Sequence, residues 1–231
     1  MTKTIWIARH GNREDFVDFN WIKTADRPFD PGLSADGIQQ AQELAQRLAL
    51  EPIAHIFASP FLRTVQTAHY VAEVLNLPIK IESGAAECLS FPFCAIKPEL
   101  LPLEMLAQRF PRIDLNYRDR VPVCYPETLA VAKKRAGDTI KRLSKEFPGN
   151  LLIISHGASL VNMTRKLVGD RAKIRSSLCG LIKLVGSGEQ WQMELNGDTS
   201  HLSQAKTGVS FHSLSLIQYI YTQEIFKQFR R

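Results

Sequence analysis

The sequence predicts an α/β protein with three α/β/α layers around a mostly parallel central sheet. Two observations lead there. Short apolar runs rich in β-formers alternate with longer segments whose apolar residues recur at helical spacing, and that alternation favours a parallel sheet covered on both faces. The chain has 231 residues, 45% of them hydrophobic and 23% charged. That is enough to bury a full core without disulfides or structural metals.

The elements follow in order. Thr4 to Ala8 is an apolar run that reads as a buried strand ending at Arg9-His10-Gly11. Residues 12–32 form a long polar and aromatic loop with turns at Arg27-Pro28 and Asp30-Pro31-Gly32. Ser34 is a good N-cap for a helix on which Ile38, Ala41, Leu44, Ala45 and Leu48 share a face. A second strand over His55–Ala58 leads to Ser59-Pro60 and a helix from about Phe61 to Leu75. Ile79–Ile81 is a third short strand that feeds Glu87.

Six prolines break up residues 88–126, with one helical pattern from Leu103 to Phe110. This stretch is too short to bury a core of its own and reads as an insertion over the site. Thr128 to Phe147 is an amphipathic helix with a basic exposed face. Leu151–Ile154 is the fourth strand, running into Ser155-His156-Gly157 and a helix closed by Gly169. Gly180–Val185 and Trp191–Leu195 pair as terminal strands. The expected division is a domain over 1–195, with rim insertions at about 12–32 and 88–126, and a C-terminal extension over 196–231 of unassigned role.

Composition narrows the class. Lys+Arg 29 against Asp+Glu 23 give a net charge of +6, which suits acidic partners. The basic stretches, Arg171-Lys173-Arg175 and Lys227-Arg230-Arg231, are too short for a nucleic-acid arm. Cysteines 88, 94, 124 and 179 form no C-x-x-C pair. No apolar stretch reaches a membrane span. Residues 1–10 lack the apolar segment of a secretory signal, so a cytoplasmic location with reduced thiols is expected.

Open parallel sheets bind ligands beyond the carboxyl ends of their strands. There the fold would gather Arg9 and His10, Arg63, Glu87 and His156. A neutral imidazole is a competent nucleophile. Guanidinium groups match the equatorial oxygens of a transferring phosphoryl group. A protonated second imidazole would add a donor, and a carboxyl group can protonate a leaving oxygen. The set reads as phosphoryl transfer through a phosphohistidine. Two His and a Glu also suit zinc, but adjacent arginines would repel a dication, so no metal and no cofactor are expected.

The segments IARHGNR (7–13), DPGLSADGIQQAQ (30–42), FASPFLRTVQTA (57–68), the Glu87 region and SHGASL (155–160) resemble the histidine phosphatase, or phosphoglycerate-mutase-like, superfamily. That resemblance implies His10 as phosphate acceptor, Arg9, Arg63 and His156 as phosphate pocket, and Glu87 as proton donor. It looks closest to the phosphatase domain of the suppressors of T-cell receptor signalling and to related steroid-phosphate phosphatases. The supporting runs are ESGAAEC around Glu87, LPLEMLAQRFPRIDLNYR (101–118), YPETLAVAKKR (125–135) and SHGASLVNMTRKLVG (155–169). In that group the second arginine of R-H-G-x-R joins the pocket, here Arg13.

Cofactor-dependent mutases usually carry Glu after R-H-G, and here Asn12 stands there. The expectation is therefore a metal-independent phosphomonoester phosphatase. Its substrate would be a phosphorylated small molecule or a phosphotyrosine-like group, without nucleic acid or membrane, and a homodimer stays open. The alternatives are a phosphoglycerate-type mutase and a non-catalytic phospholigand-binding domain.

Overall fold

Side chains alternate across the first strand, β1 (Lys3–Arg9). Trp6 and Ala8 enter one apolar layer, and Ile5 and Ile7 enter the other. A strand must alternate in this way, and both faces are apolar because helices cover both. The same division runs through β4 (Asn150–Ser155), where Leu152 and Ile154 face one side and Leu151 and Ile153 the other.

The computed structural model describes residues 2–18, 20–90, 94 and 96–203. Among them, β1 and β4 join β2 (Ile53–Ala58), β3 (Ile79–Ile81), β5 (Leu181–Ser187) and β6 (Gln190–Asp198) in one six-stranded sheet, ordered β3-β2-β4-β1-β5-β6. The pairs β1–β4, β2–β4 and β2–β3 are parallel, whereas β1–β5 and β5–β6 are antiparallel. The mostly parallel three-layer architecture is thus present, with an antiparallel terminal hairpin.

One helical layer contains α2 (Ala35–Leu48) and α3 (Leu62–Leu75), which follow a one-turn α1 (Trp21–Thr24). Ala41, Leu44, Ala45 and Leu48 from α2, and Val65, Ala68, Val71 and Ala72 from α3, meet Trp6, Ala8, Ile56 and Ile154. Ser34 caps α2 by accepting from the Gly37 N–H at 3.3 Å. The opposite layer holds α5 (Leu129–Glu146) and α6 (Gly157–Val168), which pack Ala136, Ile140, Leu143, Leu160 and Met163 on Ile5, Ile7 and Ile153. Among the described residues no helix is long and apolar enough to cross a membrane.

Three details depart from expectation. The loop after Gly11 contains a 3-10 turn, Glu14–Phe16, as well as α1. Strand β6 continues past 195 to Asp198, so the extension begins inside the sheet, and most of it lies outside the described residues. The 88–126 insertion does not lie wholly over the site. Its α4 (Leu103–Arg109) and Ile113 join the main core through Leu106 and Ile113. Backbone bonds Ile79 N–H to Arg112 O (2.7 Å) and Asp114 N–H to Ile79 O (2.9 Å) attach it to β3. The physical reason is that β3 would otherwise present an unpaired edge.

Farther along, the insertion is tied to Glu82, which is fully buried. Its carboxylate accepts from Tyr117 OH (2.6 Å) and from the N–H groups of Gly84 (3.0 Å), Arg120 (2.8 Å) and Val121 (3.0 Å). Removing an acceptor from several buried donors leaves each unsatisfied, so Glu82→Ala should lower unfolding stability by about 3 kcal/mol or more. Glu82→Gln should cost less. Urea unfolding measures both, and an Ala variant of wild-type stability would show that this carboxylate does not hold the insertion.

Candidate active site

The parallel pairing of β1 with β4 places Arg9 opposite Ser155. The next residue on each strand is a histidine, and the His10 N–H donates to Ser155 O at 3.0 Å. The two imidazoles therefore stand side by side, ring centroids 5.3 Å apart. Strand β2 ends level with them, and Ser59 N–H bonds Ile154 O at 3.1 Å. The first turn of α3 then brings in Arg63.

The backbone after His10 runs directly against the start of α2. A Cβ on Gly11 would lie 2.6 Å from Gly37 O, and one on Gly37 would lie 2.1 Å from Asn12 O. Neither contact can be relieved by a side-chain shift, so both positions need glycine. Gly11 N–H donates to Thr67 Oγ1 (3.2 Å) and Asn12 N–H to Gln40 Oε1 (2.9 Å).

His10 is buried, and its Nδ1 lies 2.7 Å from Gly11 O. A carbonyl can only accept, so Nδ1 carries the proton and Nε2 keeps its lone pair. Burial holds the His10 imidazole well below its ordinary 6.5, and the Arg63 and Arg9 guanidiniums push further down. Any nucleophilic step requires that neutral form.

His156 is equally buried, and its Nδ1 accepts from Arg63 Nη2 at 3.2 Å. Its Nε2 must then donate to Ser59 Oγ at 2.8 Å. Burial, followed by Arg63 and His10, keeps its pKa low. The protonated second imidazole expected from sequence is therefore neutral here, because desolvation and adjacent cations both disfavour its charge.

Arg63 is 2% exposed, and burial plus repulsion by Arg13 bring its pKa down to about 10, still charged at neutral pH. Its Nη1 lies 3.9 Å from Asp30 Oδ1 and its Nη2 3.7 Å from Glu87 Oε2. Among the described residues, its Nε and Nη1 have no hydrogen-bond partner, and neither does Arg9 Nε. Arg9 Nη1 donates to Ser176 O at 2.9 Å, and burial brings its pKa to about 10 as well. Arg13 is clasped by Asp15 through both Nε and Nη2 and lies over the Phe16 ring. It acts electrostatically on His10, Arg9 and Arg63. Glu87 Oε2 stands 3.4 Å from His156 Nδ1, with 29% of the side chain exposed.

All six residues singled out by sequence thus gather at one rim. Sequence did not single out Asp30, Ser59 or Ser176. Asp30 reads there only as part of a turn, yet its Oδ1 accepts the Leu62 N–H at 2.8 Å and faces Arg63. Of the aromatics in the loops, Phe16 covers Arg13 and Trp21 Nε1 bonds Pro28 O at 3.3 Å. Phe19, Phe91 and Phe93 lie outside the described residues.

The arrangement sets an imidazole nitrogen with a free lone pair beside buried guanidinium groups that have no hydrogen-bond partner among the described residues. Such a site suits an electrophile carrying negative oxygens. Residues 5–199 match the family described as the histidine phosphatase superfamily, branch 1. The chain belongs to that superfamily.

Among its relatives, the transcription factor tau 55 kDa subunit of Saccharomyces cerevisiae is 28% identical over 89% of this chain and 58% of that protein. The ubiquitin-associated and SH3 domain-containing protein A of Mus musculus is 34% identical over 71% of this chain and 33% of that protein. The chain therefore spans less than two thirds of the length of either. Among solved structures, the ecdysone phosphate phosphatase from Bombix mori, in complex with tungstate, superposes with a TM-score of 0.70 at 21% identity, covering 90% of this chain and 96% of that one. That likeness shows the same fold.

The depressed imidazoles make two observable statements. NMR should find His10 and His156 neutral as pH falls through 6.5. Unfolded imidazoles protonate near 6.5, so the unfolded chain binds more protons below that pH. The stabilising contribution is complete above 6.5 and is lost as pH falls toward the folded values. Histidines that titrate at 6.5 in the free protein would contradict both.

Proposed function

We propose that this chain is a phosphomonoester phosphatase that forms a phosphohistidine on His10 Nε2 without a metal. The observation that carries the reading is the pairing of that lone pair with buried, unpartnered N–H groups on Arg9 and Arg63. Membership of the histidine phosphatase superfamily supports it.

Arg9, Arg63 and Arg13 draw in the phosphate dianion and hold its oxygens. His10 Nε2 attacks phosphorus as the ester P–O bond breaks. Glu87, in its acid form, gives its proton to the departing oxygen. The bound phosphoryl charge also favours a proton on His156, against the burial and adjacent cations that disfavour it. In the second half a water attacks the phosphohistidine, Glu87 carboxylate takes the water's proton, and the P–N bond breaks. Phosphate leaves and neutral His10 is restored. Two buried guanidiniums beside the imidazoles would repel a dication, which supports a metal-free route.

Phe61 meets the His156 ring edge-on at 5.0 Å and packs with Ala86, Leu89, Val123 and Tyr125. This apolar cluster beside Glu87 supports substrates whose leaving group has an apolar or aromatic body, aryl phosphates and phosphotyrosine-like groups among them. The ecdysone phosphate phosphatase of the same fold is named for such a substrate. The free thiols of Cys88, Cys94, Cys124 and Cys179 support a reducing, cytoplasmic setting.

His10→Ala should reduce turnover of p-nitrophenyl phosphate by several orders of magnitude, as loss of a covalent catalyst does. Brief ³²P labelling quenched in alkali should leave acid-labile label on His10. A variant keeping a tenth of wild-type activity would refute the assignment. Absence of phosphate release by the wild type would point to the phospholigand-binding alternative, and transfer to a second substrate hydroxyl in preference to water would point to a mutase.

A general acid matters more as the leaving group worsens. Glu87→Gln at saturating substrate should therefore slow an alkyl phosphate far more than p-nitrophenyl phosphate. Equal slowing of both would remove Glu87 from the proton-donor role.

A further inference from the structure

Glu87 sits on the loop that contains the 3-10 turn Ser83–Ala85, partly open to solvent. Its Oε1 accepts the neighbouring Cys88 N–H at 3.0 Å, a local bond that moves with the loop, and the backbone beneath it is fixed by other groups. Four consecutive carbonyls of that loop, Gly84 to Glu87, are held by side-chain donors. Arg135 Nη1 bonds Gly84 O (2.8 Å) and Ala86 O (3.1 Å), and its Nη2 bonds Glu87 O at 2.9 Å. Ser155 Oγ bonds Ala85 O at 2.7 Å, and Ser159 Oγ also reaches Ala86 O at 2.6 Å.

Arg135 projects from α5 and is 4% exposed. Its remaining hydrogens go to Glu127, Nε to Oε2 at 3.0 Å and Nη2 to Oε1 at 2.5 Å. All five guanidinium N–H donors are thus placed. Glu127 in turn accepts the Leu89 N–H at 2.9 Å, and its own N–H bonds Leu89 O at 3.2 Å. The buried ion pair grips the loop on both sides of Glu87.

Burying an ion pair rarely adds stability over well-packed apolar side chains. A planar fork that reaches three carbonyls at once does something an apolar residue cannot, because it sets the loop's course. We propose that the Arg135–Glu127 pair is the positioning device for Glu87, holding its carboxyl at 3.4 Å from His156 and 3.7 Å from Arg63. This rests on the reading of Glu87 as the leaving-group acid.

The test compares Arg135→Lys, Glu87→Gln and the double variant on p-nitrophenyl phosphate and an alkyl phosphate, at saturating substrate. Lysine keeps the charge opposite Glu127 but cannot reach the three carbonyls. Arg135→Lys should slow the alkyl phosphate about tenfold or more while changing p-nitrophenyl phosphate less than about threefold, the signature of a misplaced acid. The double variant should be no slower on the alkyl phosphate than Glu87→Gln alone, since a positioning residue has nothing left to position.

Equal slowing of both substrates by Arg135→Lys, or additive losses in the double variant, would overturn the proposal while leaving Glu87 as the acid. Equal slowing by Glu87→Gln would overturn the reading of Glu87 and this proposal with it. Circular dichroism melting checks that each variant folds. If Arg135→Lys does not, Glu127→Gln, which keeps the shape of the pair, must show the same leaving-group selectivity or the proposal fails.

Discussion

The parallel register between β1 and β4 is the constraint on which the site depends. Arg9 lies opposite Ser155, so the residues that follow, His10 and His156, emerge together at the carboxyl edge of the sheet. A one-residue slip would turn one imidazole toward the wrong face, because side chains alternate with period two. The apolar sorting of Trp6 and Ala8 against Ile5 and Ile7 locks that register. The core thus sets the distance between the two candidate catalytic imidazoles.

The cluster crowds ionisable groups out of water. Arg9, Arg63 and two imidazoles are buried together, with Asp30 and Glu87 as the nearby carboxylates. Among the described residues, Arg9 Nε and Arg63 Nε and Nη1 have no hydrogen-bond partner. Burial and the adjacent cations keep the histidines beside them neutral. Binding an anion would raise the affinity of both imidazoles for protons, so ligand occupancy and protonation are linked.

Most of the frame was legible because each of its signals is local. Alternation of apolar runs with helical periods marked the strands, and Ser34 and Thr128 announced the starts of α2 and α5. The gathering of the candidate site residues was legible because the strand ends converge by topology. What sequence could not show were partners chosen across the fold. Asp30 reads as a turn residue until Leu62 and Arg63 arrive beside it. Arg135 reads as one more basic residue on an exposed helix face, yet it lies inside. The environment of His156 was hidden for a related reason. Protonation depends on burial and neighbours, and neither is written in the tripeptide that carries the histidine.

The attachment of residues 112–114 to β3 has a consequence for how this fold can change its substrate. The insertion is attached in two different ways. The stretch from Leu101 to Asp114 closes the sheet's edge and feeds Leu106 and Ile113 into the core. Shortening it would expose a row of backbone donors and acceptors and open the molecule to edge-to-edge association. The ends are fixed otherwise, Leu89 by Glu127 and Val121 by Glu82, each through a buried carboxylate. Drift in specificity, natural or engineered, must therefore leave in place the sheet-edge bonds of Ile79 and the two carboxylates that pin the ends.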